Sequence, residues 1–201
     1  MKKSLACLAA AALLLTGCGS TPQSAEAPSV APAGETSAVA KATPTATAAE
    51  RSDRGNLIKE VGQGAGISDD GTDVASFVIN SITVDGKCSG QFASEPENGH
   101  ILILDVSVKT EPALADSVVP SFGLNPFEFK TIAPNGTTSN ADLGTAASFS
   151  CLDDSELLPS EIGPAEKATG KVVLDAETAE GVLVFHPGYA AAGWEWKYPA
   201  K

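Results

Sequence analysis

Apolar and polar residues alternate in short runs over most of the chain after residue 70, and this pattern predicts β-strands. The clearest run covers residues 101–109, where alternation with a period of two indicates a strand with one buried face. Ile103 is an exception, because it is apolar but falls on the polar face. The apolar face consists of Leu102, Leu104, Val106 and Val108, and the polar face of Asp105, Ser107 and Lys109.

A second alternating run changes parity in its middle. Ala75, Phe77 and Ile79 share one face, but the alternation resumes at Ile82 with the opposite parity. A slip of one residue would turn buried side chains outward, so a β-bulge near Asn80-Ser81 is predicted. The other predicted strands cover residues 127–129, 172–174, 182–185 and 194–198.

Residues that favour turns separate these runs, and helical periodicity is weak. The segment 155–167 has room for one helical turn, because Pro159 and Pro164 interrupt anything longer. Glycine-rich residues 62–66 are interpreted as a flexible lead-in. Many short strands joined by turns predict an all-β sandwich. The predicted turns are Asp69-Asp70-Gly71-Thr72, Asp85-Gly86-Lys87, Pro134-Asn135-Gly136-Thr137 and His186-Pro187-Gly188.

The N-terminus has the pattern of an export signal. Lys2 and Lys3 precede an apolar run over residues 5–15, which is shorter than the ~20 residues of a membrane-spanning helix. Leu15-Thr16-Gly17-Cys18 resembles the lipobox of bacterial lipoproteins. The resemblance implies that the Cys18 thiol receives a diacylglyceryl group, whose two acyl chains hold a protein stably on a membrane. The alternatives are an ordinary cleaved signal with an incidental cysteine, or an uncleaved anchor.

Composition divides the rest of the chain into a tether and a domain. Residues 20–54 are almost all Ala, Pro, Ser, Thr and Glu, and such a segment buries too little apolar surface to fold. The predicted organisation is a signal peptide over residues 1–17, a lipidated cysteine and disordered tether over 18–54, and a sandwich domain over 55–201. The net charge of -12 argues against nucleic acid and anionic lipid headgroups as partners.

The four cysteines have separate predicted fates. Cys7 leaves with the signal peptide and Cys18 carries lipid. Cys88 and Cys151 remain as the one internal pair in an oxidising compartment, which predicts a disulfide. The alternatives are two free thiols or a soft-metal site, although two cysteines without a nearby histidine cluster suit a metal poorly.

Three segments of the predicted domain resemble the immunoglobulin-like domains of secreted actinobacterial proteins, a family typified by a mycobacterial immunoprotective antigen. They are residues 77–82, residues 98–106, and Gly163-Pro164 followed by residues 168–175. The resemblance implies an immunoglobulin-like antiparallel β-sandwich and an exported location, and it carries over no catalytic residue. Antibody-type domains place a tryptophan between their two cysteines, and here none lies between Cys88 and Cys151. The disulfide is therefore expected outside the antibody position.

Candidate chemistry is sparse. His100 and His186 are interpreted as exposed residues at strand ends rather than metal ligands. Asp69, Asp70 and Asp73 are weak candidates for a cation site, against the alternative of a polar turn. Residues 153–156 form a second acidic loop with the same two interpretations. The sequence shows no cofactor motif, nucleophile elbow or Ser-x-x-Lys pair.

Trp194 and Trp196 share one face of the last predicted strand and are a candidate ligand face, with core packing as the alternative. These observations favour a non-enzymatic, lipid-anchored cell-surface protein that binds an envelope protein or another surface component. An accessory lipoprotein that binds a small ligand or cation through the acidic loops is the second hypothesis. An envelope hydrolase is the third, and it would need paired carboxylates in a cleft.

Overall fold

Two four-stranded sheets pack face to face in the computed structural model, which describes residues 50–199. One sheet has the strand order β1-β8-β7-β5 and is called the β8 sheet; the other has the order β2-β3-β4-β6 and is called the β3 sheet. The strands are β1 (Leu57–Lys59), β2 (Gly64–Asp69), β3 (Thr72–Val84), β4 (His100–Thr110), β5 (Phe129–Ile132), β6 (Lys167–Ala176), β7 (Gly181–Phe185) and β8 (Trp194–Tyr198).

Helical structure is limited to four short segments among the described residues. They are one α-helix, α1 (Ala146–Ser150), and 3₁₀ turns over Pro112–Asp116, Pro126–Glu128 and Asp154–Glu156. The predicted all-β sandwich is therefore confirmed. Its strands pair antiparallel, except that the short edge strand β1 lies parallel to β8. The predicted signal peptide, Cys18 and most of the tether lie outside the described residues.

Aromatic side chains join the two sheets at the centre of the core. Phe77 of β3 contacts Phe185, Trp194 and Trp196 of the β8 sheet, with ring centroids 5.6, 5.3 and 6.2 Å away. Aromatic rings bury more apolar area than other side chains and gain further from edge-to-face contacts, so this cluster is a large share of the packing energy. The core closes within residues 50–199, which belong to one compact unit of the chain.

β4 has the predicted inward face, since its four alternating aliphatic residues are all buried. The exception at Ile103 has a structural reason. Ile101, Ile103 and Val173 lie on the outer face of the β3 sheet beneath a small second core that includes Cys151 and Leu152. An apolar residue on that face is therefore covered by the segment that follows α1. The predicted bulge is also present, as the β3–β4 register shifts between Ile79 and Ser81.

Four local predictions are corrected. The prediction of a flexible lead-in over residues 62–66 is wrong from Gly64 onwards, because Gly64 begins β2 and pairs with β3. Residue 127 lies in a 3₁₀ turn rather than a strand, since Pro126 follows an Asn125 side chain that accepts from the Phe127 amide. The single helical turn predicted within residues 155–167 falls slightly earlier, over Asp154–Glu156. The folded region begins before residue 55, because residues 51–54 contact β1 and β8.

The predicted disulfide is present and joins Cys88, in the β3–β4 connection, to Cys151, just after α1. It lies in the second core on the outer face of the β3 sheet. As expected from the missing tryptophan, it does not bridge the two sheets as the antibody disulfide does. Its role is to hold the α1 segment over the sheet. The α1 segment itself begins with a Thr145 side chain that accepts from the Ser148 amide, a typical N-cap.

Removing this disulfide is predicted to lower the stability of the domain substantially. The two cysteines are 63 residues apart, and a loop of that length corresponds to about 4 kcal/mol in the chain-entropy model. Urea unfolding of the Cys88→Ser/Cys151→Ser double variant should show this loss. Wild-type protein treated with reductant is the matched control and should lose a similar amount. Equal midpoints for all samples would contradict the prediction.

Candidate functional site

A cavity of about 500 Å³ lies at the end of the sandwich where β2 turns into β3. Both sheets contribute to it: the end of β2 and the start of β3 from one, and Leu57 and Trp194 from the other. Two connections complete the walls, namely residues 117–122 after the Pro112–Asp116 turn and residues 189–192 between β7 and β8. The cavity, called the end cavity below, is thus built on two stiff sheets and enclosed by loops.

The walls of the end cavity are mainly apolar. Aliphatic residues include Ile67, Val74 and Leu114, and three aromatic residues, Phe122, Tyr189 and Trp194, also line it. Asp69 is the one charged residue among the lining residues that the structure describes. A concave apolar site with few polar groups is the usual form of a small-molecule site.

Three of the six exposed large apolar side chains in the described residues lie at this cavity. Val118 is 99% exposed, Val119 53% and Tyr189 57%, and all three line the end cavity. They are called the apolar rim. Exposing such residues to water is unfavourable for an isolated domain, and grouped exposure marks interaction sites more often than scattered exposure does. The rim is therefore an exposed apolar surface beside a cavity at this end of the sandwich.

A buried carboxylate holds one wall of the cavity in place. Glu195, next to Trp194 in β8, accepts hydrogen bonds from Arg54 at 2.7 and 2.8 Å, from Asn56 at 2.8 Å and from Ser52 at 3.0 Å. Asn56 also accepts from the Gly193 amide at 2.9 Å. These bonds fasten the chain before β1 to the start of β8, and so they fix Leu57 and Trp194 relative to each other.

The pKa of Glu195 reflects this environment. Burial alone would raise it, but hydrogen bonds from Arg54, Asn56 and Ser52, together with the Arg54 charge, outweigh burial and hold the pKa below its usual value. The carboxylate is therefore ionised in the folded protein at neutral pH. A paired and hydrogen-bonded charge of this kind fixes geometry rather than performing chemistry.

Two polar atoms in the cavity walls lack protein partners. The indole nitrogen of Trp194 and the hydroxyl of Ser117 are buried and make no hydrogen bond within residues 50–199. The indole nitrogen of Trp196 is in the same state but belongs to the core and not to the cavity. Unsatisfied buried polar groups cost stability. Two of the three such groups within residues 50–199 belong to residues that line the end cavity.

The tryptophans do not form the exposed platform that was one reading of their alternation. Trp194 is 3% exposed and Trp196 1%, because both turn toward Phe77 in the core. Both tryptophans therefore pack in the core, as the alternative interpretation expected. Trp194 also lines the end cavity.

The acidic candidates occupy a tight hairpin turn. Asp70 and Gly71 have φ values of +46° and +80°, the combination that a two-residue type I′ turn requires. Asp69 lines the end cavity, while Asp73 accepts a hydrogen bond from Ser68 at 2.6 Å. Within residues 50–199 the structure brings no three His, Cys, Asp or Glu side chains together as a metal site. The three aspartates therefore do not assemble the predicted cation site.

The remaining candidates have separate partners. His100 Nδ1 lies 2.8 Å from an Asp85 oxygen, and His186 Nε2 lies 3.1 Å from the Ala190 carbonyl oxygen. In the second acidic loop, the hydrogen bond and charge of Lys171 lower the pKa of Glu156. No helix within the described part of the chain is long and apolar enough to cross a membrane.

The end cavity itself was not foreseen from the sequence. Its residues come from several segments that are distant in sequence, so no local pattern identifies it. The one available signal was Val118-Val119, two adjacent aliphatic residues within a stretch that has no strand periodicity. Such a pair in a loop is either covered or exposed, and the structure shows that both valines are exposed.

No protein-family model matches the sequence, and no curated protein is significantly similar to it. Among solved structures, the domain is similar to a crystal structure of MPT63, described as a secreted protein from Mycobacterium tuberculosis. The similarity has a TM-score of 0.46 at 13% sequence identity, and it covers 71% of this chain and 97% of that one.

Glu195 is predicted to make the stability of the domain depend on pH. Its folded-state pKa lies below the ordinary value of 4.5, so its contribution is fully present above about pH 4.5 and is lost as pH falls through the folded-state pKa. Glu195→Gln should cost about 2 kcal/mol at neutral pH and less in acid. Urea unfolding at pH 7, 5 and 3 measures this difference.

Glu161→Gln is the matched control for that measurement, because Glu161 is exposed. Its unfolding curves should follow those of the wild type at every pH. A Glu195→Gln variant that loses the same stability at pH 3 as at pH 7 would contradict the prediction.

Proposed function

We propose that this chain is a lipid-anchored lipoprotein of the cell surface, and that its immunoglobulin-like domain is a non-enzymatic binding module. The observation that carries the binding role is the end cavity with its apolar rim. The lipobox-like Leu15-Thr16-Gly17-Cys18 supports the anchor, and the Ala/Pro/Ser/Thr-rich segment after it suits a spacer between membrane and domain.

The architecture suits binding. Stiff paired strands present loops at the ends of a sandwich, and binding residues are commonly found on such loops. Here the loops at one end enclose a cavity and expose Val118, Val119 and Tyr189. The partner class that fits the proposed location is an envelope protein or another component of the cell surface.

The contacts of the reactive side chains favour a non-enzymatic role. His100 pairs with the Asp85 carboxylate and His186 with the Ala190 carbonyl oxygen, and neither histidine hydrogen-bonds a serine, threonine or cysteine side chain within residues 50–199. The disulfide keeps Cys88 and Cys151 from acting as thiols.

A second candidate function is an accessory protein for a small ligand. It is favoured by Asp69, the acidic hairpin residue that reaches the end cavity. This version keeps the acidic-loop idea but replaces a coordinated metal ion with a molecule that enters the cavity.

The anchor is tested by fatty-acid labelling of cells that express the full-length chain. Wild-type protein should incorporate an alkyne-labelled palmitate and fractionate with membranes, since two acyl chains hold it there. Cys18→Ser should lose both properties. Cys7→Ser is the matched control, because Cys7 lies within the predicted signal, and it should keep both. Labelling that survives Cys18→Ser would contradict the lipid anchor.

The rim is tested by crosslinking on the same cells. We expect the wild-type domain to crosslink to a discrete envelope partner. Val118→Asp/Val119→Asp should lose that product, because two charges at the rim cannot be desolvated against an apolar surface. Phe92→Asp is the matched control, as Phe92 is 79% exposed but does not line the end cavity. Equal crosslinking of both variants would contradict binding at the rim.

A further inference from the structure

We propose that the end cavity binds a small molecule that combines an apolar body with a positively charged group, such as a hydrophobic amine or a quaternary ammonium compound. This deepens the proposed function, since it names a ligand class for the binding module, and it rests on that function only in treating the domain as a binder.

The size of the cavity fits such a molecule. Small-molecule sites typically measure about 300–1,000 Å³, and this one is about 500 Å³. That volume holds a ring or a short alkyl chain, and it is too small for a folded partner. The walls come from both sheets, so the cavity is part of the sandwich rather than a fold of one loop.

The apolar walls select an apolar body. Ile67, Val74, Leu114 and the loop alanines 190–192 line the cavity. A strongly hydrated ion would lose its water here without receiving enough oxygen ligands in return, because Asp69 is the one carboxylate among the described lining residues. A free metal ion is therefore a poor occupant, whereas a cation carried on an apolar group keeps its charge at the mouth.

The charges around the cavity favour a positively charged ligand. Asp69 takes part in none of the four ion pairs found within residues 50–199. Asp70 and Asp73 lie in the same hairpin and add to the negative potential. No lysine, arginine or histidine lines the cavity in the described region. A ligand with a carboxylate or phosphate would be repelled, and one with a positive charge would be attracted.

The aromatic lining also favours a positively charged ligand. Tyr189, which is 57% exposed, lines the cavity together with Asp69, whereas the other two aromatic lining residues, Phe122 and Trp194, are 3% exposed and pack on Phe77. The faces of aromatic rings carry negative quadrupole potential and attract cations, most strongly when the cation is poorly hydrated. An aromatic side chain next to a carboxylate suits an alkylated ammonium group. A purely apolar cavity would not favour its charge, and a purely acidic loop would not favour its alkyl groups.

The test compares three probes of equal chain length on residues 19–201, a chain that contains the whole described domain. Hexyltrimethylammonium, 1-hexanol and hexanoate share the same alkyl chain and differ in charge. Isothermal titration calorimetry should show the cation binding about tenfold more tightly than the alcohol, a difference within the range of one carboxylate plus cation–π contacts. Hexanoate should show no measurable binding.

Variants assign the charge. Asp69→Asn should weaken binding of the cation about two- to fivefold, because Asp69 is exposed, and should leave binding of 1-hexanol unchanged. Asp70→Asn is the matched control, because it removes an equal charge from the same hairpin without lining the cavity, and asparagine tolerates the positive φ of that position. Asp70→Asn should weaken binding of the cation less than twofold at 0.15 M salt, where exposed charges that do not contact the ligand are screened.

A measurement on the unchanged chain removes dependence on the folding of any variant. Nuclear Overhauser effects should connect the methyl protons of hexyltrimethylammonium to ring protons of Tyr189 or Trp194. Equal affinity for the three probes, no binding of the cation to folded protein, or an Asp69→Asn variant that binds as wild type would each overturn the proposal. Because this chain lacks Cys18, these results are independent of whether the lipid anchor exists.

Discussion

The packing of Phe77 against the aromatic face of the β8 sheet is the interaction on which the rest of the structure depends. Phe77 lies in the middle of the longest strand and contacts Trp194, Trp196 and Phe185. These contacts keep the two four-stranded sheets face to face, so that each sheet buries its apolar face against the other. The end cavity exists because Trp194 serves both purposes, with one part in the core and one part in the cavity wall.

Strands with strict alternation were predictable from the sequence, because one buried face imposes a period of two on β4 and β8. The bulge near Asn80 was predictable for the same reason. β2 was missed because its glycines carry no pattern; its strand conformation depends on pairing with β3. The disulfide followed from cysteine arithmetic and compartment, but its position over the outer face of the β3 sheet depends on tertiary packing.

The site was less predictable than the fold. Asp69, Asp70 and Asp73 were recognisable as an acidic turn, yet whether a carboxylate faces a cavity, a metal or water is decided by segments distant in sequence. Asp69 meets residues 189–192 only because β8 returns beside β1 and the β7–β8 connection covers that end. The burial of Glu195 was also not predictable, because the alternation of β8 places this residue on the polar face of the strand. It is buried because residues 52–56 fold over it.

The parallel pairing of β1 with β8 has a mechanical consequence. Tension applied through the chain preceding residue 50 enters the domain at Arg51 and reaches the three-residue edge strand β1 first. Parallel strands loaded along their length must shear several hydrogen bonds together, and the Arg54–Glu195 and Asn56–Gly193 bonds share that load. A pull on this end would thus load the wall that carries Leu57 and Trp194 first, and through Trp194 it would reach the aromatic core.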